Sequence, residues 1–557
     1  MNRLYNVHSR MGLPCGKCVL LLVLICALCA SGFSACGPED SAAPDSDGVT
    51  RRVSAINPPG EFPIAKEPVV LRVATLADEY VEDYATNTFT QFYEEKTNIH
   101  VEWDFIPKIT LEEQTRARLA SNDLPDVFLK CYITDASVLY YGSKGVLRPL
   151  GDLIETYAPN TQRAMEKAPY MLDSTVTPDG NIYHVPNIGE VLHTTMPKKA
   201  WIYNPWLKTL DIPLPQTTEE LYQTLIAFRD LDPNGNGLAD EILFAGATGT
   251  HNEIESYLLQ SFLFYDRSNY LSMEDGKVVF SPATDAYREG VAYIRRLMTE
   301  GLIMPDSFTQ DRIALTSYVE NEEGNRLGVA TAIRWAHFTN TSGERHKDFT
   351  ALPVLKGPDR AAYGYDRGYG PTIGSDIGTF VITRACALPE AAMRWMDELY
   401  DQTALLSWDI HPTMGVEGVD WTRNPLRVEG LDGQPADYEL ILPFGAQQNV
   451  HWSQTINSYS SYAYRMRGAA TDETETRLFR ATAALYKPFS AQGRQVPFVF
   501  LTETQNARLN DLRTAIHSVV QLYLVQFTTG SLDMDTGWSL YLDELENAGV
   551  QEYVRLV

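Results

Sequence analysis

A chain of 557 residues is longer than a single hydrophobic core serves, so two or more lobes are expected. With 44% apolar and 11% aromatic residues it is composed as a folded protein, yet 72 acidic residues stand against only 46 basic ones. A formal charge of −26 repels phosphate backbones and anionic membrane surfaces, and no nucleic-acid partner is expected.

At the N-terminus Arg3, Arg10 and Lys17 precede CVLLLVLICALCA, an apolar run shorter than the roughly 20 residues of a membrane-spanning helix. That arrangement is the core of a secretory signal peptide, assigned to residues 1–35. FSAC ends it, with the small Ser34 and Ala35 ahead of Cys36, and resembles a bacterial lipobox in which Cys36 becomes the acylated N-terminus. Phe33 stands where such boxes usually carry an aliphatic residue. Residues 36–68, beginning CGPEDSAAPDSDG, read as a tether to the membrane. Cys15, Cys18, Cys26, Cys29 and Cys36 all lie in this leader region, leaving Cys131 and Cys386 for the body. Neither a disulfide framework nor a zinc cluster is available to so few thiols.

Past the tether, VVLRVATL (69–76) is β-rich, YVEDYATNTFTQFYEEKTN (80–98) spaces its aromatics in near-helical steps, and IHVEWDFI (99–106) returns to alternation. Strand, helix and strand of these lengths form a βαβ unit, which implies a parallel sheet with ligand-facing loops at the strand C-termini. LEEQTRARLASND then reads as a helix and DVFLKCY as a buried strand after Pro125. QTTEELYQTLIAFR is a helix capped by Thr218 with Leu221, Leu225 and Phe228 on one face. Further helices are expected through Tyr287, Val291, Ile294 and Met298, from Pro389 onward, and from Glu503 to Phe527. Trp201, Trp206, Trp395 and Trp538 sit in periodic segments and are expected in the core.

The helix ending at Arg229 leads into DLDPNGNGLADEI (230–242), which places oxygen side chains at Asp232, Asn234, Asn236, Asp240 and Glu241 around the Leu238 carbonyl. Calcium takes six to eight oxygens from such alternating loops, and Gly235 and Gly237 permit the turn. The spacing imitates the first nine positions of an EF-hand, but Leu243 occupies the twelfth, so Glu241 has to serve from the tenth. The competing reading is an Asx-rich turn without metal.

At this loop, TTMPKKAWIYNPWLKTLDIPLPQTTEELYQTLIAFRDLDPNGNGLADEI resembles the extracellular solute-binding proteins of family 1, especially the lipoprotein branch related to alginate-oligosaccharide binders. PDGNIYHVPNIG (178–189), LPEAAMRWMDELYDQ (388–402) with GVEGVDW (415–421), and FTTGSLDMDTGWSLYLDELENAGVQEY (527–553) point the same way. The resemblance implies an α/β, two-lobe periplasmic-binding-protein-like fold of type II, with a hinge and a sugar-sized interlobe cleft. The lobes are expected at 69–190 with 375–460 and at 191–374 with 461–557. It also implies a non-catalytic monomer that delivers a carbohydrate to an ABC permease from the outer face of the membrane. A structural Ca²⁺ is implied on Asp232, Asn234, Asn236, Leu238, Asp240 and Glu241.

Sugars present apolar C–H faces and rings of hydroxyls, so their sites pair aromatic platforms with polar side chains in a concave cleft. Loops after strands select Asp78, Glu79 and Tyr132. His193 near the interlobe crossing, Arg334 with Trp335 after GVATAI, and Tyr365, Arg367 and Tyr369 in GYDRGYGP complete the candidate set. A secreted glycosidase with two carboxylates across a cleft, and a surface receptor for a peptide or signal, are the competing functions. No GxxxxGK[ST] phosphate loop occurs, so ATP hydrolysis belongs to another subunit.

Overall fold

Two four-stranded sheets organise the chain in the computed structural model, which describes residues 55–557 apart from 122, 250, 341, 370–377 and 444. The signal peptide and Cys36 lie outside the described residues. In the first sheet β1 (Val69–Leu76) runs parallel to β2 (Ile99–Ile106) on one side and to β3 (Val127–Leu129) on the other. Alternation sets the register: Val69 lies opposite Ile99 and Leu76 opposite Ile106, with Leu71 and Val73 turned into the core while Arg72 faces out.

The second sheet comprises β4 (Ala200–Tyr203), β5 (Ile242–Ala245), β6 (Leu327–Thr331) and β7 (Phe349–Ala351), in the order β7-β4-β6-β5. Here only β5 and β6 are parallel. The chain then returns to the first sheet, where β8 (Phe380–Ile382) pairs antiparallel to β3. Both sheets are therefore mixed. The parallel arrangement expected from the βαβ pattern holds for β1 to β3, and β8 departs from it because it enters from the other sheet rather than through a local crossover helix.

Each sheet has its own core. Leu221, Leu225 and Phe228 join Val291 and Ile294 over the second sheet, and Ile516, Val520 and Leu524 of the helix Glu503–Thr529 extend that cluster. Tyr93, Trp395 and Trp452 anchor the cluster beside β1 to β3. Trp201, Trp206, Trp395 and Trp538 are all at most 8% exposed, as expected, and burial of such side chains contributes about 1.5–3 kcal/mol each.

Local side chains trim several elements relative to their sequence pattern. The helix expected over 80–98 occupies Thr88–Thr97. Asn87 accepts from the Phe89 amide at 3.1 Å, and Asp83 takes the Ala85 amide at 2.9 Å, holding the preceding residues in turns. The helix Thr218–Asp230 is capped by Thr217 rather than Thr218, through the Glu220 amide at 3.1 Å. In the helix Asp285–Thr299, Leu297 is buried in place of Met298. The tether expected to run to residue 68 ends sooner. Ile56, Ile64 and Ala65 are buried in the first-sheet core, and the Arg394 guanidinium donates to the carbonyls of Asn57 and Glu61.

A short parallel ribbon, Ile188–Gly189 with Tyr459–Ser460, lies where the chain passes from the first-sheet segment toward the second. Just after it, the Glu190 carboxylate accepts from the Tyr170 hydroxyl and the Tyr462 amide, each at 2.6 Å. The ribbon is thus fastened to segments far apart in sequence.

Candidate functional site

Two adjoining cavities form a cleft from the helix Tyr170–Thr175 to the loops of the second sheet. It has two halves of about 620 Å³ each, which share Asp266, Ser268 and Arg367. Volumes of this size are typical of small-molecule sites. One half is lined by Lys198, His251, Glu253, Arg267, Arg513 and His517. The other is lined by Tyr170, Asp173, Tyr369, Gln492, Gln495 and Phe498.

Buried hydrogen bonds fix the loop that carries Arg367. Asp366, 1% exposed, accepts from the Gly368 amide at 3.0 Å, the Ser490 hydroxyl at 2.6 Å and the Lys487 ammonium at 3.1 Å. Burial pushes this carboxyl up, but Ser490, Gly368 and Lys487 together hold it below its ordinary range. On one side of Arg367, Tyr365 stacks on Phe264 with ring centroids 5.5 Å apart and directs its hydroxyl to Asp266 at 3.3 Å. On the other, the Tyr369 ring lies 6.2 Å from that of Tyr462.

Lys198 enters the cleft from the segment before β4. Its ammonium lies 3.9 Å from the centroid of Tyr365 and donates to the Tyr265 carbonyl at 2.5 Å. Burial pulls it down to about 8, against the attraction of Asp266. Arg267 is held by Glu255 at 2.9 Å and lies 3.6 Å from Glu253. His251 adopts φ 69° and is pulled down to about 4, first by burial and then by Lys198 and Arg367.

The stretch following Gln495 walls the second half. Val496 and Leu501 are buried in the second-sheet core, whereas Phe498 between them packs against the cluster of Phe128, Val138 and Tyr183 on the first-sheet side. Nearby, Asn506 donates to Asp135 at 3.4 Å.

Among the residues singled out by sequence, Tyr365, Arg367 and Tyr369 line the cleft. The others line neither half. Asp78 accepts from the Tyr80 and Gln454 amides, both at 3.0 Å, and Glu79 beside it is exposed. Tyr132 is 41% exposed at φ 51°, with the Lys130 ammonium 5.7 Å from its ring. His193 lies 3.5 Å from Glu475. Arg334 is exposed, but Trp335 is only 1% exposed: the chain enters a 3₁₀ turn at Trp335–His337, and the ring folds edge-to-face onto Trp201 at 5.2 Å. Trp335 is a core side chain and offers no platform to a ligand. Lys198, His251, Asp266 and Arg513 were not anticipated. The KK of TTMPKKAW marks Lys198, while Arg513 sits on a helix whose pattern reads as an ordinary solvated face.

The oxygen-rich loop is ordered by its own side chains. Asp232 accepts from the Gly235 and Gly237 amides at 3.0 and 2.9 Å, Asn234 from Asn236 at 3.0 Å, and Asn236 from Leu238 at 2.7 Å. Asp240 is paired with Arg326 at 3.1 Å and accepts from both asparagine amides. Among the described residues no group of three or more His, Cys, Asp or Glu side chains is gathered as a metal site. The donor chemistry nevertheless suits a hard cation: every candidate ligand is an oxygen, and the buried Glu241 Oε1 has no hydrogen-bond partner. Burial raises the Glu241 carboxyl, and Asp232 and Asp240 raise it further, a repulsion that a divalent ion would relieve.

Comparison with known proteins agrees with this architecture. The family model for bacterial extracellular solute-binding proteins matches residues 75–404. The fructooligosaccharide ABC transporter substrate-binding protein FusA of Streptococcus pneumoniae serotype 4 is 28% identical over 549 residues, covering 94% of each chain. A solved structure of FusA in complex with kestose superposes with a TM-score of 0.67 at 26% identity, covering 87% of this chain and 97% of that one. A protein of Bifidobacterium longum infantis described as an HMO binding, ABC-transporter associated solute binding protein shares the fold with a TM-score of 0.73 at 19% identity, covering 88% of this chain and 98% of that one. With the family matched over more than half its length, this chain belongs to the bacterial extracellular solute-binding proteins, a family of two-lobed binding proteins rather than enzymes.

Proposed function

We propose that the protein is the substrate-binding lipoprotein of an ABC importer, capturing an oligosaccharide in the cleft and presenting it to the permease. The observation that carries this reading is the cleft itself, which combines half-buried tyrosine rings with converging donors and acceptors from both sides of the molecule. Such pairing suits the C–H faces and hydroxyls of sugar rings. The extended similarity to FusA, named for fructooligosaccharides, supports the same ligand class.

On this reading the lobes are 69–190 with 375–460, onto which residues 55–68 pack, and 191–374 with 461–557, and Ile188–Gly189 with Tyr459–Ser460 belongs to the hinge. A ligand touching both lobes favours the closed state by its differential contacts. Tyr365, Arg367 and Tyr369 are its contacts from the loop after β7. Cys36 carries the lipid that holds the protein, as a monomer, at the extracytoplasmic face. Asp232, Asn234, Asn236, the Leu238 carbonyl, Asp240 and Glu241 would hold a structural Ca²⁺, which would neutralise the loop's charge. A solved FusA structure is described as an EF-hand mutant, which supports a loop of this kind in a relative.

A calorimetric and thermal-shift screen of the purified protein against oligosaccharides tests the proposal. Micromolar binding with the sugar recovered intact is the expected result. Absence of binding to any glycan overturns it, and consumption of the sugar replaces it with a hydrolase.

A further inference from the structure

The two halves of the cleft differ in chemistry. Around the Tyr170 and Tyr369 rings the charged groups are Asp173, Asp266 and Arg367. Around His251 and His517 the balance reverses. There Arg267 is answered by Glu255 and Glu253, and the buried Lys198 charge is answered by Asp266. Arg367 and Arg513 then remain, neither with a carboxylate within ion-pair distance among the described residues. The Arg367 backbone amide donates to the Thr195 carbonyl at 2.9 Å, and the Arg513 guanidinium donates to Asn510 at 2.6 Å. Four cations, Lys198, Arg267, Arg367 and Arg513, thus face three carboxylates, Glu253, Glu255 and Asp266, and this half keeps a net positive charge on a chain of net charge −26.

The histidines report the same local field. His251 is held down by burial, Lys198 and Arg367, and His517 by burial, Arg267 and Arg513. Positive charge is concentrated at one end of the cleft despite the acidic surface elsewhere. A planar guanidinium matches a carboxylate or sulfate in a bidentate fork, whereas neutral hydroxyls need no such charge.

We infer that the ligand is an oligosaccharide bearing an anionic group at one end, its acid held between Arg367 and Arg513 and its neutral rings placed against Tyr170 and Tyr369. This rests on the oligosaccharide-binding reading above and narrows it from sugars in general to acidic ones. The anion is a uronate carboxylate or a sulfate ester, both of which suit the same fork.

Calorimetry on the full chain with three probes of equal length tests it: a neutral trisaccharide, an oligouronate trisaccharide and a sulfated neutral trisaccharide. At least one acidic probe is expected to bind about tenfold more tightly than the neutral one, since a charge-assisted hydrogen bond contributes on that scale. Whichever acidic probe leads identifies the anion. Arg513→Gln should collapse the acidic-to-neutral affinity ratio toward one, as should Arg367→Gln, and rising salt should shrink the same ratio in the unaltered protein. Because, among the described residues, the Arg513 guanidinium hydrogen-bonds only Asn510 on its own helix, the variant should keep its melting temperature. Tight neutral binding with a ratio near one, untouched by Arg513→Gln, overturns this inference and leaves oligosaccharide binding standing. No binding by any probe overturns both.

Discussion

The oxygen-rich loop and the cleft both gather polar side chains, but from opposite distances along the chain. The loop draws its groups from Asp232 to Glu241, and they bond chiefly to one another and to nearby amides. The cleft draws from Tyr170, Lys198, Asp266, Arg367 and Arg513, each held by a different piece of scaffold. A locally wired set keeps its shape through its own turns. A dispersed set keeps its shape only while two cores and the connections between them are intact.

That contrast can be broken most forcefully in the scaffold. Trp335→Ala should cost about 4 kcal/mol by leaving a cavity beside Trp201, measured by denaturant unfolding. Trp335→Phe should keep ligand affinity close to that of the unaltered protein, and a large loss of affinity without destabilisation would make Trp335 a ligand contact after all. Next comes the loop. Calcium at a hundredfold excess over its dissociation constant should stabilise the fold by about 3 kcal/mol, lost on chelation and read from the melting temperature. Indifference to chelator would leave the loop a turn.

Asp366→Ala should cost about 2 kcal/mol by stranding the Gly368 amide and the Ser490 hydroxyl, and should weaken ligand binding because the Arg367 loop is released. Equal ligand affinity in that variant would separate the loop from the site. The smallest effect is expected for Glu241→Gln. In chelator it should stabilise slightly, because burial and then the like charges of Asp232 and Asp240 disfavour the carboxylate, and in calcium it should destabilise. The sign change between the two conditions is the informative readout.

The same distinction explains what could be read in the sequence. The strands at 69–76 and 99–106, the cap-to-loop helix at 218–230 and the buried tryptophans are encoded by period and local composition, and they appear where the pattern places them. The helix expected from Tyr80 starts only at Thr88 because Asp83 and Asn87 divert the backbone, a competition that aromatic spacing does not register. Within the cleft, the glycine-rich GYDRGYGP loop announced Tyr365, Arg367 and Tyr369. Arg513 gave no comparable signal, because its approach to Arg367 depends on how a C-terminal helix docks on a distant sheet, and the KK at 198–199 marked Lys198 without showing where it would point. Trp335 misled for a related reason: a ring at a strand end can turn outward or fold back, and only the 3₁₀ turn decides which.

Val496 is buried in one hydrophobic core, and Phe498, two residues on, packs against another. A change in either core is therefore carried within two residues of chain to the wall of the cleft, so packing far from any ligand contact can reshape the site.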